Sequence, residues 1–226
     1  MCLEALGPEP GRPYVERAQP EHPSLVDPAH LVDERFGITN IPNSVWIDEQ
    51  GTIVRPAEPA WPVVRERREP AAPPPELPSR QAEMMNEASK IVSDAAAYLA
   101  ALHDWVDRGA ESRFALSSDE VIARSQPRSQ DGAAAAAHFE LAHHLHARGD
   151  LGGARAHFRE AHRLQPQNWT YRRQAWSMEP GGFEGPLARF WQGPTPGAES
   201  EWPYEGDWIS DTKAIGAENY YPRFQP

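Results

Sequence analysis

The stretch HPSLVDPAHLVDERFGITNIPNSVWIDEQGTIVRP, residues 22–56, carries the clearest folding signals in the N-terminal part of the chain. Asp27 has the position of a helix N-cap, Pro28 that of the first helical residue, and Gly37 that of a left-handed stop. These signals predict a helix of about two and a half turns that ends before Gly37. The apolar side chains that this helix is expected to bury are Leu31, Val32 and Phe36.

The second half of the stretch predicts β-structure. ITNIP, residues 38–42, is expected to form a short strand, and SVWIDEQGTIV, residues 44–54, a β-hairpin that turns at DEQG. Val45 and Ile47 face one side of the hairpin and Trp46 faces the other, because side chains alternate along a strand.

Composition limits the possible function classes. The 226 residues include 22 Lys and Arg against 33 Asp and Glu, and the net charge of −11 argues against nucleic-acid phosphates as partners. Because Cys2 is the single cysteine, the chain forms no internal disulfide and is not a secreted disulfide scaffold. No apolar run is long enough to span a membrane, and the N-terminus lacks the pattern of a signal peptide. The sequence therefore predicts a cytoplasmic protein.

The middle of the chain combines a proline-rich connector with helices. Residues 56–80 contain a dense run of prolines, which predicts a semi-rigid linker. Apolar residues then recur at steps of three and four from Met84 to Trp105, predicting one long amphipathic helix that Gly109 ends. Ser117 and Glu120 have the spacing of a capping box, which predicts a short helix after them.

Residues 135–168, AAAHFELAHHLHARGDLGGARAHFREAHRLQPQN, give the strongest periodic signal: a helix, a Gly-Asp turn, a second helix and a terminal proline. This segment resembles a tetratricopeptide repeat. It departs from the usual pattern at His138, Ala142 and Leu145. The residues at the marker positions, which the resemblance assigns to repeat packing, are Leu141, Gly149, Ala154, Phe158, Ala161 and Pro166.

A lone repeat cannot bury its own apolar face, so its flanks are expected to cover it. Residues 169–177, started by Asn168, are predicted to form the first helix of a neighbouring unit, and residues 79–124 to supply helices on the other side. The tail after Pro180 is rich in aromatic residues, which disordered tails usually lack, and is expected to pack on the helices. Whether it fills the groove of the repeat or leaves it open to a peptide is an alternative that the sequence leaves open.

Residues 10–56 resemble the C-terminal part of a thioredoxin-like domain, in the style of the ResA/TlpA-like redoxins (AhpC/TSA type). The matching residues are Gly37, Ile38, Ile41, Pro42, Val45, Ile47, Asp48, Gly51 and Ile53. The resemblance implies a cis peptide bond between Ile41 and Pro42. It also implies that this loop faces a redox-active cysteine pair and positions an extended substrate.

The sequence contains no cysteine pair that could carry out the thiol-disulfide chemistry of such a domain. A thioredoxin-like enzyme needs a thiolate at a helix N-terminus and usually a second cysteine, on elements before this segment. Cys2 precedes no apolar strand and no clear helix, and it is not predicted to be catalytic. Two explanations stay open: the chain is a truncated or mis-started version of a longer redoxin, or another segment or subunit completes the sheet.

Histidines crowd one predicted helix, where His138, His143, His144 and His146 surround Glu140. Metal-binding helices place ligands three or four residues apart, and here only His143 and His146 do so among the histidine pairs. On the following helix His157 and His162 are five apart and point to different sides. The sequence predicts no metal site and no cofactor, with surface and inter-helix packing as the role of these histidines.

The predicted fold is an α+β mosaic in four parts. The first is a partial thioredoxin-like α/β unit at 1–55, which lacks the active-site strand and helix. It is followed by a linker at 56–80, a mostly α-helical, tetratricopeptide-like region at 81–178 and an irregular aromatic tail at 179–226.

The first functional hypothesis is a truncated or degenerate thiol-disulfide oxidoreductase, inactive unless a partner supplies the thiol. The alternative is a non-enzymatic protein-interaction module built on the helices.

Overall fold

The computed structural model describes residues 2–3, 7–64, 79–125, 127–179, 192–195 and 197–226. Most of this part of the chain is helical, with short strands near the N-terminus. The strands are β1 (Cys2–Leu3), β2 (Val26–Asp27), β3 (Asn43–Ile47) and β4 (Ile53–Pro59). The helices are α1 (Arg12–Ala18), α2 (Leu31–Phe36), α3 (Ser79–Lys90), α4 (Ala95–Arg108), α5 (Ser118–Arg124), α6 (Gln130–Ala147), α7 (Leu151–Leu164), α8 (Trp169–Ser177) and α9 (Trp208–Ile215). The predicted mixed α+β fold class is confirmed, because the described residues contain both helices and a small antiparallel sheet.

The chain divides into two compact units, each built from separate segments. The first unit contains Met1–Thr39 and Pro127–Pro180, and the second contains Asn40–Gln126 and Gly181–Pro226. The predicted division, in contrast, follows the order of the chain. Residues 22–56 are divided between the two units, because α2 and the residues before it pack with α6 and α8 whereas the β3–β4 hairpin packs with α4.

In the first unit, β1 and β2 form a parallel two-stranded pair joined through α1. Cys2 lies opposite Val26, and Leu3 lies opposite Asp27. The sequence did not predict this strand at Cys2. Because parallel strands need a crossover connection, β1, α1 and β2 form a minimal βαβ arrangement.

Helix α2 differs from its prediction. It begins at Leu31 rather than at Pro28, although Asp27 does cap it by accepting hydrogen bonds from the backbone N of Leu31 at 3.1 Å and of Val32 at 2.7 Å. The expected apolar face is wrong as well, because Leu31 is 43% exposed and Phe36 is also exposed. The buried side of this segment consists of the polar residues His30 and Asp33, which take part in the hydrogen bonds described below.

The predicted hairpin is confirmed, whereas residues 38–42 form no strand. Strands β3 and β4 are antiparallel, with Trp46 opposite Arg55 and Ile47 exposed on the other face. The peptide bond between Ile41 and Pro42 is cis, in agreement with the implied geometry.

The first residues of the predicted linker belong to β4, which runs to Pro59, and its last residues belong to α3, which begins at Ser79. Proline is tolerated there because β4 is an edge strand of the two-stranded sheet that it forms with β3. The rest of the predicted linker, residues 65–78, lies outside the described residues.

The long helix predicted from Met84 to Trp105 is two helices, α3 and α4, separated by residues 91–94. The break has the sequence Ile-Val-Ser-Asp, in which β-branched residues and short polar side chains disfavour the helix. Asp94 is engaged there by the C-terminal tail: its carboxylate accepts hydrogen bonds from Arg223 Nη1 at 3.0 Å and from the backbone N of Phe224 at 2.9 Å. The stop at Gly109 is confirmed by its positive φ of 55°.

The capping box is also confirmed. Ser117 accepts a hydrogen bond from the backbone N of Glu120, whose carboxylate in turn accepts one from the backbone N of Ser117. Helix α5 then runs to Arg124.

The described part of the aromatic tail packs on helix α3 of the second unit, and it is not irregular throughout. It contains α9, which Asp207 caps and which is tied to α3 by ion pairs of Lys213 with Glu83 and of Asp207 with Arg80. Residues 180–191 of the predicted tail lie outside the described residues.

A buried arginine organises the core of the second unit. Arg55 is 0% exposed; it donates to both carboxylate oxygens of Glu58, at 2.8 and 3.0 Å, and to the backbone oxygens of Phe114 and Gln225. Its guanidinium lies over the rings of Trp46, at 5.2 Å, and Phe224, at 4.9 Å. The buried apolar residues of this core are Trp46, Tyr98, Ala101, Phe114 and Phe224.

None of the helices within the described ranges is long and apolar enough to cross a membrane.

The substitution Arg55→Ala is expected to lower the free energy of unfolding by about 3–5 kcal/mol, because it leaves the Glu58 carboxylate and two carbonyl groups without their buried donor. Urea denaturation followed by tryptophan fluorescence measures the change. The matched control is Arg113→Ala, since Arg113 is exposed and only lies over the Phe114 ring, and it should cost no more than about 1 kcal/mol. Equal effects of the two substitutions would contradict this role of Arg55.

Candidate functional site

The two helices and the Gly-Asp turn that the periodic pattern of residues 135–168 predicts are present as α6, α7 and the turn between them. Gly149 adopts a φ of 81° in the turn, and the Asp150 side chain caps α7 by accepting a hydrogen bond from Gly153 N at 2.9 Å. Small side chains allow the two helices to approach closely, and two phenylalanines fill the space between them. The buried residues of this contact are Ala135, Phe139, Ala142, Ala154, Phe158 and Ala161.

Two other marker residues, Pro166 and Leu141, differ in whether they take the position that the pattern predicts. Pro166 follows the end of α7 at Leu164, where a proline can no longer continue the helix. Leu141, however, is 41% exposed and does not pack in the repeat. It lies four residues after Ala137, which is exposed as well, so the two share one open face of α6.

The predicted neighbouring helix is present as α8. Asn168 caps it by accepting a hydrogen bond from Tyr171 N at 3.1 Å, and the Tyr171 ring stacks on Phe139 of α6 at 4.1 Å between centroids. The backbone N of Trp169 donates to the carbonyl oxygen of Thr39 at 2.6 Å. Helix α8 thus joins α6 to the segment of residues 27–39, which we call the N-terminal arm.

The arm meets the helices through a buried polar network. His30, only 3% exposed, places Nδ1 2.8 Å from Asp33 Oδ2 and Nε2 3.2 Å from Gln174 Oε1 of α8. Gln174 Nε2 donates to Ser177 Oγ, which itself donates to the Gln174 carbonyl, so the amide oxygen is the atom that faces His30. The His30 ring also packs edge-on against Phe139 at 5.1 Å. The sequence predicted that residues 79–124 cover the repeat, but in the first unit the arm does so.

The His30–Asp33 pair resembles half of a catalytic triad, yet its geometry is structural. A general base needs a ring nitrogen within hydrogen-bond reach of a nucleophile. Both His30 nitrogens already face oxygen acceptors, and neither contacts a hydroxyl or thiol within the described part of the chain. The pair therefore fixes the arm rather than moving protons to a substrate.

A cavity of about 230 Å³ opens between the arm, α6 and α8. Its walls combine apolar and polar surface in about equal amounts. The lining residues are Ala29, His30, Leu31, Glu34, Arg128, Ala133, Ala136, Ala137, Phe139, Glu140 and Tyr171. Alanines supply most of the α6 side, and this is why space remains there: their side chains end at Cβ.

Some of the charged side chains that line the cavity form ion pairs and others do not. Arg128 forms an ion pair with Glu34, whereas Glu140 is exposed and has no hydrogen-bond or ion-pair partner among the residues that the structure describes. Burial raises the pKa of the Tyr171 phenol well above its ordinary value, and the negative charges of Asp33 and Glu34 add to this effect. Tyr171 is therefore a neutral hydroxyl at neutral pH, beside an unpaired carboxylate at the rim.

Two further histidines of the first unit stay uncharged. Burial lowers the pKa of His143 from 6.5 to about 4, with smaller contributions from the charges of His30 and His146. Burial also lowers the pKa of His162 from 6.5 to about 3, assisted by the charge of Arg172. The predicted packing role applies to His143, whose ring packs against Phe139.

The loop that the redoxin resemblance implicates has its backbone groups in use. Ile41 N donates to its neighbour Asn40 at 2.9 Å, and Ile41 O accepts a hydrogen bond from the Tyr221 hydroxyl at 3.0 Å. Pro42 O accepts one from Ala60 N at 3.3 Å. An extended substrate that pairs with this loop would first have to displace the C-terminal tail. Cys2 lies in β1 of the first unit and the loop lies in the second.

Comparison of the chain with family models, with curated proteins and with solved structures finds no match. The geometry of the site is therefore the basis for a functional proposal.

The lowered pKa values of His143 and His162 predict that stability depends on pH. The unfolded chain takes up protons on both groups near pH 6.5, whereas the folded chain does so only near pH 4 and pH 3. The free energy of unfolding should therefore fall as the pH drops from 7 to 5, by up to about 1.4 kcal/mol per pH unit for each histidine. Urea denaturation at pH 7, 6 and 5 measures this slope.

The substitution His143→Gln should reduce the slope between pH 7 and pH 5, because it removes one of the two titrating groups. The control His144→Gln replaces an exposed neighbour on α6 and should leave the slope unchanged. A slope that both variants reduce equally, or that neither reduces, would refute the assignment to His143.

Proposed function

We propose that this chain is a non-enzymatic protein-interaction module whose tetratricopeptide-like helices bind a short segment of a partner protein. The observation that carries the proposal is the cavity of about 230 Å³ between α6, α8 and the N-terminal arm. Helical repeats of this kind bind through a concave face lined by the first helix of each repeat. Helices α6 and α8 are the first helices of successive units in this arrangement, and both contribute to the cavity.

The lining of the cavity indicates the chemistry of the bound segment. Alanine, leucine and phenylalanine side chains favour an apolar side chain of about the size of leucine, which gains about 1.5–3 kcal/mol when fully buried. The unpaired Glu140 carboxylate at the rim favours a cationic group. We therefore infer that the partner segment carries an apolar residue adjacent to a lysine or arginine.

The walls of the cavity are preorganised by buried contacts. The arm is held by the hydrogen bonds of His30 with Asp33 and Gln174, and Tyr171 is held by its stack on Phe139. A preformed pocket binds more tightly than one that must be ordered on binding, because less conformational entropy is lost. These contacts support a binding site rather than a packing defect.

Labelled octapeptides test this proposal by fluorescence anisotropy. A peptide with a central Leu-Lys in a Gly/Ser background should bind the full chain, and peptides with Leu-Glu or Ser-Lys should bind at least about tenfold more weakly. Binding of the Leu-Lys peptide should weaken as ionic strength rises, because part of it is charge attraction to Glu140.

Matched variants connect the binding to the cavity. Ala137→Phe fills the space and should weaken binding of the Leu-Lys peptide at least about tenfold. Ala156→Phe places the same ring on the exposed side of α7 and should have no effect. Glu140→Gln should remove the preference for Leu-Lys over Leu-Glu. The proposal fails if the three peptides bind equally, or if Ala156→Phe weakens binding as much as Ala137→Phe.

A thiol-disulfide function is the second candidate, in a chain of the thioredoxin-like redox type. One observation favours it: helix α2 and the β3–β4 hairpin both lie within residues 10–56, the segment that resembles the C-terminal part of such a domain, although residues 38–42 form no strand. The thiol pair would have to come from a thiol-bearing partner protein, since the chain contains only Cys2. The hydrogen bonds at Ile41 weigh against this candidate, because they occupy the groups that would bind an extended substrate.

Reduction of insulin disulfides by dithiothreitol separates the two candidates. The full chain should not accelerate the reaction above the uncatalysed rate, and Cys2→Ser should behave identically, because one thiol cannot both attack and resolve a mixed disulfide. Turbidity at 650 nm is a suitable readout, with a thioredoxin as the positive control. Catalysis that Cys2→Ser abolishes would favour the redox candidate over the interaction module.

A further inference from the structure

Two histidines from different helices face each other in the first unit. His138 of α6 and His157 of α7 have their Nδ1 atoms 2.7 Å apart, with 5.0 Å between ring centroids and 32° between ring planes. Both side chains are half-buried. At this distance one Nδ1 donates a hydrogen and the other accepts it, so the pair holds a single proton between two convergent nitrogen atoms.

No sequence pattern indicates this pair, because its members are 19 residues apart and lie on different helices. The ligand spacing of metal-binding helices applies to residues along one helix, and His157 and His162, five residues apart, do not have that spacing. Only the antiparallel packing of α6 on α7 brings His138 and His157 together.

A carboxylate lies one turn further along α7. Glu160 is three residues after His157 and therefore on the same side of the helix. A hydrogen bond from Arg163 holds the pKa of Glu160 below its usual value, and the charges of Arg163 and His138 act in the same direction. The Arg163–Glu160 pair is at the surface, where such ion pairs contribute little stability. Glu160 can therefore change partner at small cost.

We propose that His138 and His157 form a binding site for a divalent transition-metal ion of the zinc class, with Glu160 as third protein ligand. Imidazole nitrogens with a carboxylate and a water suit Zn²⁺. Two ligand nitrogens on a tetrahedral zinc lie about 3.4 Å apart, given Zn–N bonds of about 2.0–2.1 Å, so the rings need to separate only slightly. Before the ion binds, the proton on the donor Nδ1 moves by exchange with solvent to Nε2 of the same ring, so that both rings stay neutral and both Nδ1 atoms offer a lone pair to the metal.

The structure indicates why Glu160 has to move. In the described ranges, no three histidine, cysteine, aspartate or glutamate side chains are already close enough together to hold a metal ion. Two histidines are in place, and the third ligand has to leave Arg163. The bound ion would connect α6 to α7 at a position separate from the cavity, so the site does not depend on the peptide-binding proposal.

Zn²⁺ alone is the probe, titrated calorimetrically into the full chain at pH 7.5. To remove competition from the lone thiol, all proteins carry Cys2→Ser. His138→Asn and His157→Asn should each weaken Zn²⁺ binding at least tenfold, since loss of even an outer partner of a metal ligand weakens binding about 10–100-fold. Glu160→Gln should weaken it less than either histidine substitution. His144→Asn, on the exposed side of α6, is the matched control and should leave affinity unchanged.

Two further measurements keep the result independent of folding defects. Zn²⁺ should raise the Tm of the parent protein, because it binds the folded form, but not that of His138→Asn or His157→Asn. In the parent protein, ¹⁵N spectra of the histidine rings should show Zn²⁺ shifting the Nδ1 signals of His138 and His157 together. The proposal is overturned if affinity is the same in all variants, if His144→Asn weakens it equally, or if the Nδ1 signals do not move.

Discussion

The first unit depends on a buried hydrogen-bonded histidine. His30 is almost completely removed from solvent and has a positive φ of 56°, a conformation that is uncommon for residues other than glycine. Its ring bridges Asp33 of its own segment and Gln174 of α8. Unpaired polar groups are costly in a protein interior, so these partners hold the arm in one position. That position forms one wall of the cavity.

The second unit has a corresponding constraint in Arg55. This guanidinium connects Glu58 of its own strand to the carbonyl groups of Phe114 and Gln225, which are distant in sequence. In both units, therefore, a buried cationic or polar side chain from residues 22–56 is satisfied by groups from elsewhere in the chain. This explains why the stretch does not form a separate domain: each half of it supplies a side chain whose partners lie in a different set of helices.

These contacts support the proposed binding function. The His30–Asp33 pair is enclosed by Gln174 and contacts no nucleophile in the described ranges, and the Ile41 backbone groups are bound by Asn40 and Tyr221. The first unit contains a small cavity lined by both apolar and polar groups, among them the exposed Glu140 carboxylate. A cavity of this kind suits the proposed recognition of a side chain, which requires shape and charge but no reacting group.

The sequence by itself determined the local elements. The α6–α7 hairpin, the cap at Asn168, the capping box at Ser117 and the β3–β4 hairpin follow from periodicity and from residues whose effect is confined to one turn of the chain. Tertiary structure alone decided the features that depend on partners distant in sequence. These are the burial of His30 and Asp33 in place of Leu31, the hydrogen bonds of the C-terminal tail with Asp94, and the meeting of His138 with His157. The physical reason is that a polar side chain is buried only where a partner satisfies it, and the position of that partner is set by the packing of the whole unit.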